Sequence, residues 1–370
     1  MRRNSMETRL HRWHLENGAR MVDFGGWDMP VQYATGPRAE HLRVREAAGL
    51  FDIDHMGRLE ISGPQAQEFL QRLQTWDVSR LEPGRAHYSM ILEESGGILD
   101  DIFIYRKPDS WLVVVNASNA QKDILWLQAH AAGLNVSIRD LRAETCLVAL
   151  QGPAARQVLQ ALAPKEELAD IGYHHVVERT FAGARVTLCT TGYTGEPGYE
   201  ILMPAHGSER LWGAILEAGA PLRLIPCGLA ARDSLRAEAC LPLYGNEIDE
   251  TTDPLSAGLM RAAVRMEGHD FIGRRALAGR ALSPLPRVLV GFEMREPGVP
   301  RHGYEIIADG RTAGTVTTGL FSPSTARYVG MGYVNTACSA VGNELGIVIR
   351  DGHKAARIVE RPFYTSPHWR

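Results

Sequence analysis

Two adjacent carboxylates, Asp100 and Asp101, interrupt a run that otherwise reads as buried: Gly96-Gly97-Ile98-Leu99-Asp100-Asp101-Ile102-Phe103-Ile104-Tyr105. A carboxylate taken out of water must be paired, hydrogen-bonded or neutralised, and a perturbed acid in a cleft is suited to proton transfer. Side chains alternate along a strand. Leu99, Asp101, Phe103 and Tyr105 should therefore share one face, and Ile98, Asp100, Ile102 and Ile104 the other, which gives the two acids different jobs. The plainer alternative is that both follow a Gly-Gly turn and cap backbone amides or meet an arginine.

Two further segments carry chemistry. Thr190-Thr191-Gly192-Tyr193-Thr194-Gly195-Glu196-Pro197-Gly198-Tyr199-Glu200 spaces three glycines three apart, so its turns let backbone approach a ligand, with Tyr193 free to stack and Glu200 leading into a strand. A locally packed glycine-rich hairpin is the alternative. The helix Gly228 to Glu238 sets Arg232 and Arg236 one turn apart, where like charges repel unless an anion lies between them. Asp233 or Glu238 could serve as that anion internally. Arg232 also lies near the helix N-terminus, an anion-attracting end.

Other chemistries drop out. There is no P-loop, no G-x-G-x-x-G and no Gly-x-Ser-x-Gly elbow, so phosphate cradling and serine nucleophiles have no support. Thirteen histidines include no H-E-x-x-H or H-x-H, and adjacent His174 and His175 would point apart in a strand; no metal is expected. Cys146, Cys189, Cys227, Cys240 and Cys338 are scattered and odd in number, which fits a reducing compartment rather than a disulfide framework.

The elements that must position these residues read as α+β. Arg58 to Ile61, Ser62-Gly63-Pro64 and a helix with Phe69, Leu70 and Leu73 form a strand-turn-helix module. It recurs as Cys146 to Leu150, Gln151-Gly152-Pro153 and a helix with Val158, Leu159 and Leu162, which suggests two pseudo-duplicated subdomains. Tyr88 to Leu92 and Ile98 to Tyr105 form a hairpin followed by the strand Trp111 to Asn116, and Ser118 with Gln121 has capping-box spacing ahead of a helix. Further helices are expected at 209–217 and 229–240, the latter stopped by Pro242. After Pro284 and Pro286 come short apolar runs at 288–292, 304–307, 314–318, 329–334 and 345–349, the texture of a small β-barrel.

At 370 residues, 45% hydrophobic and 22% charged with a net charge of −3, the chain has no bulk attraction to nucleic acid or anionic membrane. Met1 to Leu15 is polar and basic without an apolar core, and no apolar run reaches the ~18 residues of a membrane helix. A cytoplasmic location follows as the expectation.

Several motifs, in order, resemble the T-protein (aminomethyltransferase) family of the glycine cleavage system. They are Asp23-Phe24-Gly25-Gly26-Trp27-Asp28-Met29-Pro30, Leu50 to Gly57, Gly96 to Asp101, Gly192 to Glu200, Gly228 to Arg236, Leu243 to Thr251, Phe271-Ile272-Gly273-Arg274 and Arg361-Pro362-Phe363-Tyr364. The resemblance implies a three-part cloverleaf: two interwoven folate-binding α+β subdomains over residues 8–283 and a C-terminal antiparallel β-barrel over 284–370. It implies transfer of a methylene group from the aminomethyl-dihydrolipoyl arm of H-protein to tetrahydrofolate, with release of ammonia, and thus folate and lipoylated H-protein as ligand and partner. It places Asp101 as the catalytic acid–base, Glu200 on the pterin, Arg232 on substrate, and Met56, Tyr88, Asn116 and Tyr193 along the cavity. The chain departs from the family pattern in having Arg58 after His55-Met56-Gly57 in place of glutamate, and Thr190 ahead of Thr191-Gly192-Tyr193 in place of arginine. Relatives on the same scaffold keep two other readings open: a tetrahydrofolate-dependent demethylase of a small methylated compound, and a folate-binding protein without transfer activity.

Overall fold

The structure, a computed structural model, describes residues 5–163, 168, 171–350 and 352–369. Residues 1–4 of the polar N-terminal stretch lie outside these.

Strands buried on both faces explain the layering of the main body. In Thr145–Gln151, Cys146, Val148 and Leu150 point to one side and pack under the helices Ala155–Leu162 and Ser208–Gly219. Leu147 and Ala149 point the other way and meet Tyr105, Leu112 and Val114 of a second sheet. On the far side of that sheet, Ile102, Ile104 and Val113 pack against the helices Ala66–Leu73 and Ala120–His130. Two sheets thus sit face to face with helices outside, and central strands such as Thr145–Gln151 and Trp111–Val115 are apolar on both sides because both sides are covered.

The first sheet has six strands in the order Val176–Phe181, Ala184–Cys189, Gly198–Pro204, Thr145–Gln151, Gly49–Asp52 and Ile225–Cys227. The second has five, in the order Ala86–Leu92, Ile98–Arg106, Trp111–Val115, Gly57–Ser62 and Ser137–Asp140. The chain crosses from the first sheet to the second between Asp52 and Gly57 and returns at Thr145, which interweaves the two halves. A small three-stranded sheet of Met6–Glu7, Trp27–Gln32 and Arg20–Phe24 precedes them.

The repeated module is real in geometry. Gly63 and Gly152 adopt φ of +110° and +122°, and a Cβ at either would stand 2.5 Å from a backbone oxygen, of Asn135 and of Ala47 respectively. Only glycine fits both turns. The helices begin at Ala66 and Ala155, so Pro64 and Pro153 sit in the turns and not at the first helical position.

Six antiparallel strands close the C-terminal barrel, in the order Arg287–Met294, Arg327–Asn335, Arg311–Ser322, Glu305–Ala308, Glu344–Ile349 and Gly352–Val359. The last of these escaped the sequence reading because His353, Lys354 and Arg357 dilute its apolar pattern. The barrel is tied to the body by buried polar contacts: Glu238 accepts from Ser322 and Ser324, pairs with Arg45 at 2.9 Å and lies 3.1 Å from His41.

Other local expectations need correction. A bulge between Ile91 and Leu92 leaves Leu99 without a partner residue on the neighbouring strand. Leu99 therefore joins Ile102 and Ile104 in the outer core, while Ile98 packs with Met90 and Leu92. Alternation resumes at Asp100. The helix after Trp111–Val115 starts at Ala120 with no side-chain cap, because the Asn119 amide is drawn to Asp100 instead. The helix from Leu229 ends at Glu238, with Cys240 already left-handed at φ +53°. His174 lies in a turn at φ +58°, and His175 forms an isolated β-bridge with Arg85 just ahead of the strand Val176–Phe181.

Candidate active site

Because alternation resumes after the bulge, Asp100 enters the helix-covered face and Asp101 the space between the sheets. Asp100 is fully buried and receives the Asn116 backbone N–H at 3.0 Å, the Asn116 side-chain amide at 2.9 Å and the Asn119 amide at 2.5 Å. Among the described residues no arginine meets it, so the amide-capping alternative describes Asp100 and fails for Asp101.

Asp101 is half-buried. The Tyr88 hydroxyl donates to its Oδ2 at 2.9 Å and Asn116 Nδ2 donates to its Oδ1 at 2.7 Å. Burial, and then the neighbouring Asp100 charge, push its carboxyl up to about 7, partly offset by those two donors. A carboxyl poised near neutrality can accept or return a proton at working pH. Burial and the Asp101 charge in turn raise the Tyr88 hydroxyl, so Tyr88 stays a donor.

A second group gathers around Glu200 and Arg232, whose charges act on each other. Glu200, in the strand Gly198–Pro204, accepts from Thr191 at 2.6 Å and from Tyr105 at 3.1 Å, both through Oε2. Its Oε1 forms no hydrogen bond among the described residues. The Arg232 guanidinium lies over the Tyr193 ring at 4.7 Å, and the Tyr193 hydroxyl donates to the Pro242 carbonyl. Arg236 is satisfied internally by Glu247 at 2.7 Å and Asp233 at 2.8 Å, as one sequence alternative had it, whereas Glu238 serves Arg45 and His41 instead. Arg232 has no such partner. Its buried Nη1 lacks any hydrogen bond among the described residues, and burial lowers its pKa while Glu200 opposes that.

Tyr193 links the two groups, since burial and then the charges of Arg236, Asp101 and Arg232 act on its hydroxyl, with a net rise. The structure therefore brings Tyr88, Asp101 and Asn116 into direct contact, and Tyr193 with Arg232. Met56 packs with the inter-sheet core that holds Tyr105, and touches neither acid through a hydrogen bond. A cavity of about 250 Å³ opens beside Thr191, lined also by Tyr173, Gly192, Glu196, Tyr364 and Trp369; Asp101 lies outside its lining.

Three residues went unread in sequence. Tyr105 holds Glu200, and its position on the Asp101 face of the alternating strand was the available signal. Thr191, inside the glycine-rich segment, does the same. Asp123 reaches Asp100 from a helix, and nothing in its spacing announces that. The two departures prove structural: Arg58 is buried against Asp54 at 2.9 Å and the carbonyls of Asp54, Met56 and Thr145, and Thr190 binds the Gly172 carbonyl.

A two-sheet α+β body, a closed barrel and a carboxyl held between the sheets by Tyr88 and Asn116 together define a scaffold with one acid–base group at its centre. The GCVT N-terminal domain family matches residues 10–267, and the glycine cleavage T-protein C-terminal barrel domain family matches residues 287–365. The chain belongs to the glycine cleavage T-protein family. It is 48% identical to the aminomethyltransferase of Symbiobacterium thermophilum over the whole of both chains, and 42% identical to that of Bacillus subtilis over 96% of this chain and 98% of the relative. The crystal structure of glycine cleavage system aminomethyltransferase T from Bartonella henselae superposes with a TM-score of 0.91 at 34% identity, covering 97% of this chain and 98% of that one. Among the described residues no helix is long and apolar enough to cross a membrane.

Proposed function

We propose that this chain is the aminomethyltransferase of a glycine cleavage system, passing a methylene group from an aminomethyl carrier to tetrahydrofolate with release of ammonia. Its full-length similarity to aminomethyltransferases supports the reaction. On this reading the carrier is the lipoylated H-protein, the compartment is the cytoplasm, and the chain divides into a folate-binding body over residues 8–283 and a barrel over 284–370.

The observation that carries the site reading is Asp101 itself, a carboxyl held by Tyr88 and Asn116 and raised to about 7. The residues around it suit a folate. Glu200 has one oxygen tied to two hydroxyls and one left over for the N–H donors of a pterin. Arg232 has a buried N–H without a partner, which an anionic or carbonyl group of a ligand would satisfy. Tyr88 and Tyr193 offer aromatic faces, and Met56 fills the apolar wall.

Tetrahydrofolate supplies the two nitrogens, N5 and N10, that take up the carbon; as their bonds to it form, the carrier's C–N bond breaks to release ammonia and its C–S bond breaks to return the thiol. Asp101 as carboxylate accepts a proton that one of these nitrogens gives up and, once protonated, hands it on toward the departing amine, while the proton of the second nitrogen ends on the thiol. Tyr88 and Asn116 keep the carboxyl aimed, and Arg232 and Glu200 hold the two ends of the ligand so that the carbon donor and acceptor meet. The test is a single turnover with tetrahydrofolate and aminomethylated H-protein, scoring ammonia and folate products by mass. Ammonia together with 5,10-methylenetetrahydrofolate is the expected result. Folate binding without either product overturns the assignment.

A further inference from the structure

The helix Ala120–His130 covers the outer face of the sheet where Asp100 lies. Asp100 accepts amide N–H groups at both oxygens, two at Oδ1 and one at Oδ2. Amides in this arrangement only donate, so Asp100 serves wholly as an acceptor, the pattern of an ionised carboxylate. Asp123, almost fully buried on the helix, shares a hydrogen bond with the same Asp100 carboxyl. Two carboxyls can share a hydrogen bond only when one of them carries the proton. The other Asp123 oxygen, Oδ2, is buried with no partner among the described residues. Such an oxygen costs little as the carbonyl of a neutral acid and a great deal as half of a carboxylate. Lys122 does not neutralise the pair: its ammonium lies 2.7 Å from Glu250 and 3.1 Å from Tyr244.

We propose that Asp123 is a positioning residue for Asp101: it holds a proton against Asp100, keeps Asp100 ionised, and so maintains a negative charge beside the reacting carboxyl. One side-chain amide transmits the arrangement, since Asn116 Nδ2 bridges Asp100 Oδ1 at 2.9 Å and Asp101 Oδ1 at 2.7 Å. The other ionisable groups facing the two acids do not replace this charge. Tyr88 and Tyr193 face Asp101 as neutral phenols, Arg232 stands behind the Tyr193 ring, and Tyr244 faces Asp100. Burial and the Asp100 charge push Asp123 itself up to about 10, in keeping with its holding the proton. Without that hydrogen bond Asp100 would ionise less readily, the charge beside Asp101 would weaken, and Asp101 would fall back toward the ordinary carboxylate range.

The role of Asp101 rests on the proposed function, but the proton on the Asp100–Asp123 pair does not. Infrared difference spectra of the folded protein at about pH 8.5, where Asp101 is ionised, should show a protonated-carboxyl stretch that disappears in Asp123→Asn. No such band overturns the proposal whatever the chain's activity. In the pH profile of kcat/KM for methylene transfer, Asp123→Leu should move the acid limb down by at least about half a pH unit. Asp123→Asn, whose amide still donates to Asp100, should hold the limb in place. A limb unmoved in Asp123→Leu, or moved equally in Asp123→Asn, refutes it. If Asp123→Leu does not fold, Asp100→Asn decides, because removing the charge directly should shift the limb in the same direction, and an unshifted limb overturns the proposal.

Discussion

Asp101→Asn removes the ionisable group at the centre of the site while keeping its shape, and it should make the protein more stable as well as inactive. The Asp101 carboxyl stands at about 7 against an ordinary 3.8 because burial, then the Asp100 charge, disfavours its ionised form. An acid raised on folding is held protonated longer by the native state. Stability is therefore lost as pH rises from about 4 to about 7. At about 1.4 kcal/mol per tenfold change in the ionisation constant, the ionised carboxylate costs the fold roughly 4 kcal/mol at pH 8. The partial solvent exposure of Asp101 and the poorer acceptor capacity of asparagine toward Tyr88 and Asn116 reduce the expected gain to about 1–3 kcal/mol. Near pH 5 the native protein still holds the proton, and the gain should drop to less than half of that at pH 8. Urea unfolding of both proteins at the two pH values measures this, and single-turnover methylene transfer should fall by about 10²–10⁴-fold, the usual contribution of a positioned acid–base group. A variant less stable than its parent at pH 8, or with the same stability difference at both pH values, would refute the argument that Asp101 is held against its own ionisation.

Glu200→Gln should weaken tetrahydrofolate binding by about 10–100-fold, the worth of a charge-assisted hydrogen bond, while Thr191 and Tyr105 keep the side chain in place; titration calorimetry reads this directly. Arg232→Met should lower the affinity for folate or carrier at least about tenfold with little or no loss of melting temperature, since the partly buried guanidinium makes no ion pair among the described residues. A large drop in melting temperature would mean instead that Arg232 is structural. Gly152→Ala should destabilise by roughly 2 kcal/mol or more in urea unfolding, because the position is left-handed and its Cβ would press on the Ala47 carbonyl oxygen at 2.5 Å.

Much of the architecture was already written in local pattern. Alternation in 145–151 and in 98–106 set which residues face helices and which face the other sheet, because strands covered on both sides must be apolar on both. The same parity separated Asp100 from Asp101. Gly63 and Gly152 marked the repeated module because no other residue tolerates those turns. The tertiary structure decided what each charge meets. Nothing local told Arg232 from Arg236: Glu247, folded back from the loop after Pro242, satisfies one and leaves the buried Nη1 of the other without a hydrogen bond among the described residues. Glu238 was within reach of both in sequence and is spent on Arg45 and His41, where body and barrel join. The bulge at Leu99 arises in the pairing of two strands, while the loss of the Asn119 cap to Asp100 and the approach of Asp123 arise where a helix settles on a sheet. Hydrophobic periodicity is a property of neighbours in sequence and can be read there, whereas a pKa depends on the summed field and solvation of groups that meet only when the chain is folded.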